Sequence, residues 1–256
     1  SLIEIRRVLD AVEANLMLFA RITDHATNME EALQIADGLI IDGALMVGIE
    51  PGCPLSVVAL RASQTGKTLF VSGSVQETMA ESGVEGQELI NKSWHKGFDG
   101  VAVTTGGAAY KFPLDVLAAL KSAASLEEEK MLSIRNEKRI GHVVASPVAD
   151  ALCSTAVHAS QVMKALAFLV PTETGFTPRM LAKFRQSLPV IAVSPHPHVI
   201  RQLRLAWGVK PLLSRRTLRQ EDVMQLAVDT ALKGNHLREG DAVVGAIAAA
   251  MNVNSI

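Results

Sequence analysis

Apolar positions along the chain fall into short runs of strand length, separated by stretches in which they recur every three or four residues. That is the pattern of buried strands alternating with amphipathic helices. Residues 15–22 form the first run, 24–28 read as a loop, and Met29, Ala32, Leu33 and Ala36 follow at helical spacing. Residues 38–41 give a second strand; Pro51-Gly52-Cys53-Pro54 break the chain, and 55–65 return as a helix ending near Gly66. A third strand is expected over 68–72 and a fourth over 101–104, joined by a helix over 87–97 and followed by one over 113–124. Strands alternating with helices imply parallel pairing, right-handed crossovers and ligands at the carboxyl ends of the strands. Four such units are half of a (β/α)8 barrel.

From Leu126 the pattern changes to a charged stretch, Glu127-Glu128-Glu129-Lys130 and then Arg135, Glu137, Lys138 and Arg139, which reads as a solvated helix face or linker. A domain boundary is expected within 132–142, dividing the chain into 1–135 and 136–256. Beyond it come a helix over 148–164, strand 166–170, helix 178–186, strand 190–194, helix 197–206, strand 209–213, helix 219–233 and strand 241–247, with 252–256 as an edge strand. This is an open α/β sheet.

Composition narrows the function. With 256 residues, 48% of them hydrophobic, the chain can bury a full core in each of two domains. The net charge of −1 and an aromatic content of 4% offer neither a basic stripe nor interleaved aromatics, so no nucleic-acid partner is expected. Cys53 and Cys153 are far apart and lack metal-ligand spacing, as in a reduced intracellular protein. No apolar run reaches membrane-span length, so the expectation is a soluble protein of cytoplasm or plastid with no membrane partner. The chain opens at Ser1 directly inside a helical pattern, which suggests a piece of something longer.

One turn carries candidate chemistry. Pro171-Thr172-Glu173-Thr174-Gly175-Phe176-Thr177-Pro178 places three hydroxyls and a glycine before a helix, where unpaired amides and peptide dipoles stabilise a phosphate. The same residues also serve as ordinary caps, and Pro178 suits a first helical turn.

The order of these elements, and several motifs within them, resemble the latter half of pyruvate kinase. Thr172-Glu173-Thr174-Gly175-Phe176-Thr177, Pro189-Val190-Ile191-Ala192-Val193-Ser194-Pro195, Arg201-Gln202-Leu203, Trp207-Gly208-Val209 and Pro211 follow that family's T-E-S-G-R-T, P-I-I-A-V-T-P, R-Q-L and W-G-V-x-P in order and spacing. Ile5-Arg6-Arg7-Val8-Leu9, Ala36-Asp37-Gly38 and Glu77-Thr78-Met79 also sit where the family has similar residues. The resemblance implies the last four βα units of a (β/α)8 barrel followed by the family's C-terminal α/β domain. It also implies an effector-binding role for Thr172, Thr174, Gly175 and Thr177, and assembly as a homo-oligomer or as a hetero-oligomer with a related protein. The family's companion arginine in that turn is Phe176 here, and Glu173 adds negative charge beside a sugar-phosphate or phosphate ligand.

The catalytic motifs depart from the family. Its A-K-I-E strand, which supplies a phosphoryl-stabilising lysine and a metal-binding glutamate, reads Ala20-Arg21-Ile22-Thr23. Its A-R-G-D-L-G becomes Asp42-Gly43-Ala44-Leu45-Met46, with Ala44 at the aspartate's position, so no carboxylate pair remains for Mg²⁺. The threonine of A-T-Q-M-L-E-S-M is replaced by Gly73, between Ser72 and Ser74, and S-G-E-T becomes Thr104-Thr105-Gly106-Gly107. The nucleotide lid and the first half of the barrel lie outside this sequence. Arg21, Ser72, Ser74, Thr104 and Thr105 form a candidate anion pocket; otherwise Arg21 pairs with Asp24 or Asp42. His196 and His198, around Pro197, are expected to cap a helix or face solvent, and His95, His158 and Cys153 are read as packed or surface residues rather than a dyad.

The resulting expectation is a pyruvate kinase-like protein that has lost phosphoryl transfer and acts as a regulatory, structural or metabolite-binding subunit, with no cofactor and no metal site. The alternative is an active phosphotransferase, converting phosphoenolpyruvate and ADP to pyruvate and ATP with rebuilt residues, Mg²⁺ and K⁺.

Overall fold

The computed structural model describes residues 1–23, 29–46, 57, 61–62, 64–74, 97–104, 113–134, 147–217, 219 and 221–246. The chain divides into two units, Ser1–Val143 and Val144–Ile256.

In the first unit, α1 (Leu2–Ala11) starts from a capping box: the Ser1 hydroxyl accepts from the Glu4 amide at 3.3 Å while the Glu4 carboxylate accepts from the terminal ammonium at 2.8 Å. Then come β1 (Phe19–Ile22), α2 (Met29–Ile35), β2 (Gly38–Asp42), a single 3₁₀ turn over Gly43–Met46, β3 (Thr68–Ser74), β4 (Gly100–Thr104) and α3 (Pro113–Ile134). The strands are parallel in the order β1-β2-β3-β4. Alternation puts Ala20, Ile22, Leu39, Ile41, Leu69 and Val71 on one face, where they bury against Ala32, Leu33, Ala36, Ala62 and Phe98. On the opposite face Phe19 meets Phe70 edge to face at 5.8 Å between centroids. Those rings lie over glycines: a side chain at Gly38 would overlap Phe19, and one at Gly100 would come within 2.7 Å of Phe70.

The amino ends of the strands are fixed by an ionic knot. Asp37 accepts from Arg6 at 2.6 Å and from the Leu18 amide at 2.8 Å, and Arg6 also donates to the Ile35 carbonyl at 3.1 Å. Lys67 donates to the Ala36 carbonyl at 2.5 Å, and burial lowers its pKa against the opposing pull of Asp37.

The second unit runs α4 (Pro147–Val162), β5 (Ala167–Pro171), α5 (Phe176–Ala182), β6 (Val190–Ser194), α6 (Pro197–Leu203), β7 (Val209–Leu213), α7 (Asp222–Lys233) and β8 (Val243–Gly245). Its sheet is parallel in the order β7-β6-β5-β8. β5 and β6 lie at the centre and are apolar on both faces, as a doubly covered sheet demands. Phe168, Val170 and Val190 meet Cys153 and Val157 of α4 and Met180 and Leu181 of α5. Val199 and Leu203 of α6 pack on Ala192 of the same face, and Ala167, Leu169, Ile191 and Val193 receive Ala227 and Ala231 of α7 on the other.

These sheets are the expected part-barrel and α/β domain. Several expected bounds change. The helix begun at Pro113 does not stop at 124 but continues through the charged residues to Ile134. Glu129 and Lys130 are exposed there, as a solvated helix face requires, whereas Glu127 falls on the helix face of Leu120, Ala123 and Ala124 and is only 2% exposed, with Lys130 donating to it at 2.6 Å. The helix expected from 178 starts two residues earlier, because Gly175 takes a left-handed turn (φ 76°) at its N-cap. The expected helix over 87–97 lies almost wholly outside the described residues; the loop over 24–28, the break at 51–54 and the edge strand at 252–256 lie outside them entirely.

Candidate functional site

Toward the carboxyl ends of β1 to β3, Arg21, Asp42 and Ser72 lie on one face: the parallel register sets Asp42 beside Ser72 and Arg21 beside Ile40, two residues before Asp42. Arg21 donates to the Asp42 carboxylate at 3.1 Å, the pairing expected as its structural role. Its guanidinium is about half exposed and the carboxylate partly buried. Ser72 is 2% exposed, and its hydroxyl has no hydrogen-bond partner among the described residues. Ser74 and Thr104 are register partners on β3 and β4, so their backbones are adjacent. Their side chains, Thr105 and Asp24 lie outside what is described. This face therefore joins one cation, one carboxylate and one buried hydroxyl, and its two charges oppose each other.

In the second unit the carboxyl ends of β5 and β6 carry the hydroxyl turn and the histidines. Thr172 accepts from the Gly175 amide at 2.9 Å, and Thr174 accepts from the Phe176 amide at 3.4 Å. The two hydroxyls thus close the turn on itself, while the N-cap of α5 is Gly175, without a side-chain cap. Gly175 is required there: its positive φ disfavours a side chain, and a Cβ would stand 3.1 Å from the Arg179 guanidinium and from Leu203. Thr177 is half-buried in the first turn of α5, and Phe176, in the arginine's place, is 39% exposed.

His196 occupies the N-cap position of α6 but makes no side-chain cap. Its Nε2 lies instead 2.6 Å from Glu173 Oε2, and its ring is 5.4 Å from that of His198. This contact ties the β5 and β6 loops and is the site feature that sequence reading missed. Its only signal was the adjacency of those loops once β5 and β6 pair.

Cys153 is buried and His158 exposed, so no dyad forms between them. Burial pushes the Cys153 thiol up to about 11, outweighing the nearby Lys183 ammonium, which itself binds Asp150. Arg185 is buried with its guanidinium 5.2 Å from the centre of the Trp207 ring. Among the described residues no three His, Cys, Asp or Glu side chains cluster as a metal site, and no helix is long and apolar enough to cross a membrane.

Residues 150–255 match the family described as pyruvate kinase, alpha/beta domain. Pyruvate kinase of Sporosarcina psychrophila is 28% identical over 257 residues, and that of Geobacillus stearothermophilus 28% over 258; each alignment covers 94% of this chain and 43% of the relative. The chain thus spans less than half the length of these relatives. The crystal structure of Cryptosporidium parvum pyruvate kinase superimposes on 96% of this chain and 54% of its own, with a TM-score of 0.71 at 21% identity, which supports the same fold.

Proposed function

We propose that this chain, which is similar to pyruvate kinases over 94% of its length, belongs to their family and is a binding or regulatory subunit that does not transfer phosphoryl groups. The observation that carries this reading is the Arg21–Asp42 pair at 3.1 Å, with Thr23 directly after β1. Phosphoryl transfer needs positive charge directed at the phosphoryl oxygens and a divalent ion held by carboxylates. Here the cation faces a carboxylate of the chain itself, and a hydroxyl stands where the resemblance places the metal-binding glutamate. A divalent ion does not fit the donor set of the described residues: it would find one carboxylate already neutralised, beside a guanidinium that repels it.

In a coupled pyruvate-forming assay with phosphoenolpyruvate, ADP, Mg²⁺ and K⁺, no turnover above the protein-free rate is expected. Turnover that Arg21→Ala abolishes would establish the alternative, a rebuilt phosphotransferase.

The turn at 172–177 favours a second, compatible role in metabolite binding. It combines two hydroxyls, a left-handed glycine and the start of a helix. A phosphate entering it must displace the hydroxyls from the amides they accept from and accommodate Glu173. Thermal-shift measurements with inorganic phosphate and sugar phosphates test this role: stabilisation should be lost in Thr174→Ala, and no shift with either ligand removes the reading. Assembly into homo-oligomers, or hetero-oligomers with a related active chain, belongs to the same proposal and is read by sedimentation.

A further inference from the structure

The two units carry opposite charge. Residues 1–143 hold 13 Lys+Arg against 19 Asp+Glu, and residues 144–256 hold 12 against 7. A near-neutral chain therefore conceals an acidic first unit and a basic second one. Within the second unit the separation is sharper still, because no Asp or Glu occurs between Glu173 and Glu221.

Six basic residues of that interval, Arg201, Arg204, Lys210, Arg215, Arg216 and Arg219, are exposed along one border of the sheet. Arg201 is in the last turn of α6 and Arg204 at its C-cap; Lys210 is on edge strand β7, and the other three lie on the segment leaving β7 for α7. Among the described residues none of these six side chains has a hydrogen bond or ion pair. Arg6, Arg21, Lys130 and Lys183, by contrast, each face a carboxylate. Two exposed leucines, Leu205 at 39% and Leu213 at 55%, interrupt the basic border.

We infer that this border docks an acidic protein segment that also carries apolar side chains. Five of the six cations are arginines, whose planar forks match carboxylates in pairs and which are enriched at protein interfaces where lysine is depleted. Leu205 and Leu213 supply the apolar contacts that a purely electrostatic surface lacks. The segment does not add as a strand. Ser214 donates inward to the Ser194 carbonyl, so by alternation Val209, Pro211 and Leu213 turn their backbone outward; Pro211 has no N–H, and Val209 donates back to Ala206. Nucleic acid is disfavoured because Trp207, the one aromatic ring of residues 199–219, is already packed with Arg185. This inference goes beyond the loss of phosphoryl transfer and does not depend on it.

The test is fluorescence anisotropy of the whole chain with a labelled Glu-Glu-Leu repeat peptide, its Gln-Gln-Leu counterpart, a single-stranded oligonucleotide and phosphatidylserine vesicles. The Glu peptide should bind tightest, and binding should weaken several-fold as salt rises from about 50 to about 200 mM. Combining Arg201→Gln, Arg204→Gln, Arg215→Gln and Arg216→Gln should weaken it about tenfold or more at unchanged circular dichroism and melting temperature. Leu205→Ser should weaken it about threefold, an effect a polyelectrolyte surface would not show. No binding of the Glu peptide, equal binding of the Gln peptide, tighter binding of the oligonucleotide or vesicles, or undiminished binding by the fourfold variant overturns the inference.

Discussion

At the carboxyl edge of the first unit charged side chains face one another, whereas along the β7 border of the second they face solvent. Arg21 and Asp42 hold each other at 3.1 Å in the first, while six cations of the second have no partner among the described residues. Both units keep the parallel strand–helix architecture, so the difference lies in the side chains placed on it and not in the fold. Among the described residues, the part-barrel edge holds a mutually neutralised ion pair, and the sheet unit presents charge outward. If one unit still meets a partner, the second is better equipped.

Substitutions can break or sharpen this contrast. The largest effect is expected from Phe168→Ala, which removes a fully buried ring from the core beneath α4 and α5 and should cost about 3–5 kcal/mol. Amide exchange should show the loss in β5 and β6; an equal loss of protection in β1 to β4 would mean that the two units do not respond separately.

Next is the alkaline behaviour of the second unit. The Cys153 thiol ionises near 9.0 when free and near 11 when folded. Between those values the unfolded chain has already lost the proton that the folded chain keeps. Stability present below about pH 9 is therefore lost as pH rises toward 11, by up to about 2–3 kcal/mol, and this slope should vanish in Cys153→Ala, as read by urea unfolding.

A smaller effect belongs to the turn. Gly175→Ala should cost about 1–2 kcal/mol by thermal unfolding, since alanine is strained at a φ of 76° and meets Leu203. Smallest of all, Arg21→Ala should change stability by less than about 1 kcal/mol, because its ion pair with Asp42 is largely solvated. A larger loss would show that this pair holds the part-barrel together, not merely that it neutralises its edge.

Much of the fold was legible in the sequence because the strands are continuous apolar runs whose flanking helices have regular spacing. Val190–Ser194 and Val209–Leu213 coincide with the expected strands. Helix ends were harder to place, since they depend on backbone conformation: the left-handed Gly175 moves the start of α5 to Phe176. The burial of Glu127 is not legible in the sequence, because charge implies exposure unless a neighbour on the same helix face supplies a counterion, as Lys130 does. The site was only partly legible. Departures from the motifs it resembles can be read residue by residue, but the Glu173–His196 contact joins positions 23 apart through the pairing of β5 with β6. The basic border was hidden by summation, because the acidic first unit cancels it in the net charge of −1.

The most direct test of the central claim, that the part-barrel edge is neutralised and holds no divalent ion, is a titration of the chain with Mn²⁺ followed by electron paramagnetic resonance. The free-ion signal should be undiminished by the protein and identical with Asp42→Asn. Bound Mn²⁺ that disappears in Asp42→Asn would contradict the account.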